Sequence, residues 1–278
     1  MGKIIWIASY PKSGNTWLRI FLFNLFADSP EPMTLSEVSH MSTSDTVLRW
    51  YREVDERDPA SWTMHDVADL RLVMQRHMTT QSLDAVFMKT HAALVPMAGR
   101  QPFDMEASAG AVYIVRNPLD VAVSYMRHAG VPADQIVDIM STPNHMLPRT
   151  DDLAEFVQGG WSQNVMSWTR EPNPAIHVVR YEDLAAKGME TFGAICSFLK
   201  LEMDEERVAR ALDHASITTL RRLEDEQGFN ERSVHQERFF GEGGVDAWKR
   251  DLPEENARQL VQRHRAQMER FGYVPPGS

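Results

Sequence analysis

Lys3-Ile4-Ile5-Trp6-Ile7-Ala8-Ser9-Tyr10-Pro11-Lys12-Ser13-Gly14-Asn15-Thr16-Trp17 is the stretch on which the fold turns. Lys3 to Ser9 is an apolar run with no polar helical face, and at that length it predicts a buried strand. Pro11 stops the strand, and Gly14 relieves a crowded turn. From Trp17 to Phe26 a second apolar run is long enough for a helix. Strand, tight loop and helix in this order offer successive loop N–H groups and a helix N-terminus to an anion, and Lys12 adds a full positive charge. The lysine precedes the glycine, so the order differs from the G-x-x-x-x-G-K-[ST] loop that uses the same physics. Lys-Ser-Gly-x-Thr alone also fits an ordinary βα turn with an exposed lysine; the strand and Tyr-Pro before it and Trp17 after it favour the anion cradle.

The totals narrow the classes. Of 278 residues, 29 are Lys or Arg and 39 are Asp or Glu, a formal net charge of −10. That argues against a nucleic-acid partner held by bulk charge and leaves room for a local basic pocket. A hydrophobic fraction of 43% supports a sizeable core. Cys196 is the single cysteine, so no intrachain disulfide forms, which fits a reducing compartment. Ile4 to Ala8 is too short for a signal-peptide core, and Trp17 to Ala27 is interrupted by Arg19 and Asn24 and too short to span a bilayer. Trp6 stands where an N-myristoylation signal needs Ser or Thr. The expectation is a cytoplasmic protein without an integral membrane segment.

Further along, residues 28 to 64 are rich in Pro, Ser, Thr, Met and aromatics and predict loops and short helices. Such segments either line an adaptable apolar pocket or pack as satellite core. His65 to Met78 has helical spacing. Ala85 to Met88, Gly110 to Val115 and Ala175 to Val179 predict three more buried strands. Pro118 near a first helical position and Asp120 in the first turn predict a helix after the third strand. Thr150, Asp151 or Asp152 can cap a helix running to Thr169, with Trp161 and Trp168 on one face. Helices are expected over 183–200, 204–214 and 216–224, and from Pro253 to about Arg270. Residues 225–244 are polar and contain four glycines, which reads as a mobile segment. Strands alternating with helices predict a parallel sheet covered on both faces, with ligands at the carboxyl ends of the strands. Lys12, Lys89, His91, Arg116 and Arg180 all fall just after such ends, a cationic rim on an acidic chain that favours an anionic ligand.

A metal-dependent P-loop kinase of small molecules would bring an acidic Mg²⁺ ligand at a strand end. Here the second and third strands run into Lys89 and Arg116, so phosphates are expected to be neutralised by Lys and Arg, with no metal. Glu182 and Asp183 follow the fourth strand but can equally cap the next helix. His91, two residues past a strand end, can accept a proton from a hydroxyl; a structural histidine is the plainer reading.

On these residues the chain resembles the sulfotransferases that use 3'-phosphoadenosine 5'-phosphosulfate (PAPS), in a form that looks bacterial and similar to the cytosolic members. Ser9 to Trp17 resembles that family's 5'-phosphosulfate loop. Arg116-Asn117-Pro118-Leu119-Asp120-Val121-Ala122-Val123-Ser124-Tyr125 resembles its 3'-phosphate motif, and Lys89-Thr90-His91 the segment with its catalytic histidine. Gly160-Trp161 through Trp168, Arg180 to Leu184, and Phe239-Phe240 through Trp248-Lys249 resemble further family segments. The resemblance implies one P-loop-like α/β domain over 1–278, three-layered, with a central parallel sheet flanked by helices. Residues 28–80 and 130–165 would shape the acceptor site, and 225–250 would form a mobile cosubstrate loop. It implies that Lys12, Ser13, Gly14, Asn15 and Thr16 hold the 5'-phosphosulfate and Trp17 stacks on adenine. Arg116 and Ser124 would bind the 3'-phosphate. Tyr181, Ser216, Phe239 and Phe240 would complete the nucleotide site, and His91 would be the general base, helped by Lys12 and Lys89. The implied reaction moves a sulfuryl group from PAPS to a hydroxyl or amine of a small molecule, leaving PAP. A PAP-binding module without turnover is the alternative from another class.

The chain departs from the pattern at Asn15, in place of a common Thr, at Ile217, in place of a Phe, and at Gly241-Glu242-Gly243, in place of Arg-Lys-Gly. Either Arg238, with Arg232 second, supplies the missing charge, or Arg116 and Ser124 carry the 3'-phosphate alone. The sequence leaves the acceptor and the oligomeric state open.

Overall fold

The computed structural model of the chain describes residues 2–41, 43–82, 84–201, 204–241 and 244–277. β1 (Ile4–Ser9) passes through a tight loop into α1 (Asn15–Ala27). Residues 28–64 form α2 (Leu35–Met41), β2 (Thr43–Ser44), α3 (Leu48–Arg52) and a 3₁₀ turn at Pro59–Ser61. α4 (Met64–Thr80) follows; Thr63 and Asp66 close its start reciprocally, each side chain accepting the other's backbone N–H at 3.2 and 2.8 Å. β3 (Val86–Thr90) and β4 (Ser108–Val115) are the second and third strands the sequence predicts. In α5 (Pro118–Ala129), Pro118 takes the first position behind an Asn117 cap, and Gly130 ends the helix at φ 68°.

After α6 (Ala133–Ser141), the expected helix from about residue 150 is not formed. β5 (Met146–Leu147) and β6 (Phe156–Val157) pair antiparallel there, and α7 (Trp161–Thr169) begins only after Gly159-Gly160. Gly159 has φ 70° and Gly160 is extended, so the backbone breaks the helix before Trp161. β7 (Ile176–Arg180) follows. The single helix expected over 183–200 is two, α8 (Tyr181–Ala186) and α9 (Gly188–Phe198), because Lys187 leaves helical geometry at φ −133°, ψ 47°. α10 (Glu205–His214), α11 (Ile217–Gln227), α12 (Trp248–Asp251) and α13 (Glu254–Phe271) complete the chain, with Pro253 capping α13 and Gly272 ending it.

The main sheet has five strands in the order β2-β3-β1-β4-β7 and is flanked by helices. β3 runs parallel to both neighbours, pairing Met88 with Trp6 and Thr43, and Lys89 with Ile7 and Ser44. The two-residue β2 was not foreseen: it is too short to leave a period. Ile4, Ile7 and Ala8 of β1 and Val112 to Val115 of β4 are at most 1% exposed, as expected for strands covered on both faces. By contacts the chain divides into two compact units, each made of three stretches. The first holds Met1–Tyr10, Thr43–Tyr113 and Ser141–Val178; the second holds Pro11–Ser42, Ile114–Met140 and Val179–Ser278. In the second unit α1 packs on α10, and Leu18, Phe21, Leu22 and Leu25 are fully buried, each burial worth about 1.5–3 kcal/mol.

Candidate active site

In the second unit the loop after β1 is drawn into a narrow cup. Lys12 adopts φ 66° and Gly14 φ 106°, and Gly14 caps α1 with no side-chain acceptor and no acidic residue in the first turn. The positive end of α1 is therefore not answered by its own first turn. The glycine is required twice over: besides its positive φ, a Cβ there would meet the Tyr181 ring at 2.6 Å. Ser13 is fully buried and its Oγ has no hydrogen-bond partner among the described residues. Asn15 Oδ1 accepts from Arg19 Nε at 3.0 Å. Thr16 Oγ1 donates to Glu231 at 2.9 Å and accepts from Arg19 Nη2 at 3.0 Å. Trp17 donates its indole N–H to the Ala215 carbonyl and meets Tyr181 and Phe192 edge-on at 5.6 Å.

Arg116, one residue past β4, enters the same cup. Its Nη1 donates to the Lys12 carbonyl at 2.9 Å, its Nη2 to the Gly244 carbonyl at 3.0 Å, and its guanidinium lies 4.2 Å from the centre of the Tyr181 ring. Its Nε is buried without a partner among the described residues. Tyr181, the first residue of α8, thus touches Gly14, Trp17 and Arg116. Asp120, to which the sequence gives a helix-terminus role within the Arg116–Tyr125 motif, ties this motif to the far loop. It is 1% exposed and accepts from the backbone N–H of Asp246 and Trp248 at 2.9 and 3.0 Å. Burial pushes its carboxyl above the usual range, while those two donors and Arg116 pull it down. Ser124 is half-buried two turns into α5, and Ser216 caps α11 by accepting from Thr219 N–H. Ile217 is 48% exposed.

The described part of the 225–244 segment carries anchors that its composition hides. Glu224, 5% exposed on α11, accepts the backbone N–H of Phe239 and Phe240 at 2.6 and 2.9 Å. Phe229, Phe239 and Phe240 pack together with centroids 4.9–5.3 Å apart, and Lys12 Nζ sits 4.6 Å over the Phe239 ring. Arg238 pairs with Asp225 at 2.8 Å. Arg232 donates to the Glu237 carbonyl. Glu242 and Gly243 lie outside the described residues. Arg180, from the cationic rim, turns to Tyr273 and Glu182, its guanidinium 4.8 Å from the Tyr273 ring.

In the first unit Lys89 is the penultimate residue of β3, half-buried, and His91 follows the strand's last residue, Thr90. His91 Nδ1 lies 2.8 Å from the Ser9 carbonyl. A carbonyl only accepts, so Nδ1 carries the proton, and in the ring's neutral form the lone pair is at Nε2. The turn bearing His91 is fixed from several sides. Asn164 donates to the His91 carbonyl at 3.0 Å, Ala92 N–H donates to Thr90 Oγ1, and Trp168 donates to the Ala92 carbonyl. Asp45, fully buried past β2, donates its N–H to the Lys89 carbonyl at 3.3 Å; burial raises its carboxyl, and the charges of Arg71 and Lys89 oppose that rise. Tyr51 and Trp62, possible pocket residues in the sequence, are core. Nothing near Asp120, Glu224 or Glu231 in sequence marks their partners, which lie 15 to 215 positions away.

The profile of the Sulfotransferase domain matches residues 3–272. Sulfotransferase 1E1 of Mus musculus is 20% identical over 285 residues, covering 94% of this chain and 82% of its own length. Sulfotransferase 1B1 of Mus musculus is 27% identical over 230 residues, covering 79% of this chain and 66% of its own. Retinol dehydratase, solved in complex with androsterone and inactive cofactor PAP, shares the fold with a TM-score of 0.65 at 18% identity, over 99% of this chain and 83% of its own. Mouse sulfotransferase SULT7A1 complexed with PAP does so at 0.57 and 14%, over 96% and 84%. Among the described residues no helix is long and apolar enough to cross a membrane. Since the profile spans nearly the whole sequence, the chain belongs to the sulfotransferase domain family.

Proposed function

We propose that the protein is a PAPS-dependent sulfotransferase that moves the sulfuryl group to a hydroxyl or amine of a small-molecule acceptor. The observation that carries this reading is the pair of buried polar atoms with no partner among the described residues, Ser13 Oγ and Arg116 Nε, in one anion cup. Leaving such groups unpaired costs about 1–3 kcal/mol each, and phosphate oxygens satisfy both. Lys12, Ser13, Gly14, Asn15 and Thr16 hold the 5'-phosphosulfate, and Trp17, Tyr181, Ser216, Phe239 and Phe240 surround the nucleoside. Arg116 and Ser124 take the 3'-phosphate.

His91 acts as the base. With Nδ1–H held by the Ser9 carbonyl, Nε2 takes the acceptor's proton as the acceptor oxygen or nitrogen bonds to sulfur. The bond from sulfur to the bridging phosphate oxygen breaks, and its electron pair leaves with PAP. Lys12 and Lys89 offset the charge that grows on the transferring group and the leaving phosphate. Retinol dehydratase has been solved in complex with androsterone and in complex with retinol, which supports an apolar hydroxyl compound as the first class to try.

The test is transfer from labelled PAPS to a mixed library of alcohols, phenols, amines and sugars, with PAP affinity measured in parallel. His91→Ala is expected to keep PAP affinity and lose about 10²–10⁴-fold in turnover. Activity within a few-fold of wild type would remove His91 from the mechanism. A wild-type protein that binds no PAP would remove the reading altogether.

A further inference from the structure

We propose that Asn164 of α7 is the positioning residue for His91, holding the His91 turn against the Ser9–Tyr10 peptide so that the imidazole keeps its proton on Nδ1. The base role of His91 rests on the PAPS reading above; the hydrogen bonds that hold it all lie within the first unit. Asn164 is fully buried, and its amide nitrogen donates to two carbonyls, that of His91 at 3.0 Å and that of Gln158 at 2.9 Å. Carbonyls only accept, so the amide has one possible orientation, with its oxygen turned the other way. That oxygen accepts from the Tyr113 hydroxyl at 2.8 Å. Tyr113 of β4 is also fully buried. Burial pushes its hydroxyl well above the usual range, and the Tyr10 backbone N–H, a donor to the same oxygen, opposes that rise. The phenol therefore keeps its proton and gives it to Asn164.

The bonds close on one peptide group. β1 runs between β3 and β4. Where β1 ends, the Ser9–Tyr10 peptide gives its N–H to Tyr113 of β4 and receives His91 Nδ1–H on its C=O at 2.8 Å, just past β3. The Ser9 hydroxyl lies 3.3 Å from the same nitrogen. Asn164 joins the two sides, taking the Tyr113 hydroxyl on one and holding the His91 backbone on the other. Gln158 adds a second link, since its Nε2 donates to the Tyr10 hydroxyl at 2.9 Å. Tyr10, Tyr113, Gln158 and Asn164 are each at most 1% exposed, and in such a dry interior linked hydrogen bonds strengthen one another. A leucine at 164 would fill space but leave the His91 and Gln158 carbonyls unpaired, at about 1–3 kcal/mol each. The polar side chain adds direction to packing. Free histidine favours the proton on Nε2, whereas a base acting through Nε2 needs that nitrogen bare.

The experiment records nitrogen–proton NMR spectra of histidine-labelled protein at about pH 8, where an ordinary histidine is neutral. The His91 signal is identified by its loss in His91→Ala. Wild type, Asn164→Ala, Asn164→Asp and Tyr113→Phe are compared, with PAP affinity and label transfer from PAPS to the mixed acceptor library measured on each. Wild type is expected to carry the His91 proton on Nδ1. Asn164→Ala and Asn164→Asp should move it toward Nε2 and cut transfer by about 10–100-fold, with PAP affinity within about 3-fold of wild type. Tyr113→Phe, which removes one hydroxyl and keeps the ring, should shift both readouts the same way by less, and it serves if the Asn164 variants do not fold. Asn164 acts through His91, so adding Asn164→Ala to His91→Ala should cost less than about 2-fold more. A wild-type His91 protonated on Nε2, or a tautomer unchanged in the variants, would overturn the proposal. An equal loss of transfer with and without His91 would make Asn164 a structural residue only and overturn it as well. If wild type binds no PAP, the PAPS reading falls, and the spectra still decide whether Asn164 holds His91.

Discussion

His264→Leu should flatten the acid limb of the protein's stability. His264 lies on α13, 2% exposed, and burial aided by the charge of Arg263 depresses its pKa from 6.5 to about 4. In the unfolded chain the ring titrates near ~6.5. The folded state thus favours the neutral ring. Stability is complete above about pH 6.5 and is lost as the pH falls through the window toward 4, because there only the unfolded chain binds the proton. The full shift is worth ~3 kcal/mol, of which ~2 kcal/mol is lost by pH 5. Urea unfolding at fixed ionic strength, at pH 8, 6 and 5, reads this directly. His145 and His177 are also depressed by burial, but both remain in the variant and cancel in the difference between proteins. The wild type should lose ~2 kcal/mol more than His264→Leu between pH 8 and 5. Parallel pH slopes in the two proteins would refute the reasoning.

Lys12→Ala and Arg116→Ala should each weaken PAP by the equivalent of ~1.5–3 kcal/mol, the worth of a charge-assisted bond; unchanged calorimetric affinity in both would remove the cup from the cosubstrate site. Gly14→Ala places a Cβ 2.6 Å from the Tyr181 ring at φ 106°. It should cost ~1–3 kcal/mol of stability and weaken PAP more than tenfold, and a variant with wild-type melting and affinity would show that Tyr181 moves aside freely.

The parts of the molecule that are local in sequence were open to reading. Lys3 to Phe26 spelled strand, cup and helix because one apolar run, a proline, a glycine and a second run each dictate their own backbone. The same holds for Asn117-Pro118 at the start of α5 and for Pro253 before α13. The misreadings have physical causes. Trp161 and Trp168 do share a buried helical face, but the polar capping signals at 150–152 lie before a two-glycine break that propensity alone does not weigh. β2 owes its existence to pairing with β3, not to its own two residues. In the site, Arg116 was legible from its place after an apolar run. Glu224 looks like an ordinary charged position of an amphipathic helix, and only the return of Phe239 and Phe240 to α11 gives it a role. Glycine and polar content also do not register that Phe229, Phe239 and Phe240 meet one another.

The bridge between Arg19 and Glu231 limits how this protein can be re-engineered. Arg19 is 1% exposed inside α1, and the Glu231 carboxylate that meets it at 2.7 Å comes from 212 positions later in the chain. Removing one member of a fully buried ion pair costs ~3–5 kcal/mol; with the Glu231 side chain 25% exposed the cost here is smaller, but losing it leaves the buried Arg19 charge without this carboxylate. A chimera that exchanges the glycine-rich segment for a relative's, in order to change nucleotide or acceptor preference, therefore also edits the foundation of the phosphate cup. Such a graft has to bring a carboxylate to the place of Glu231, or replace Arg19 with a neutral side chain in the same step.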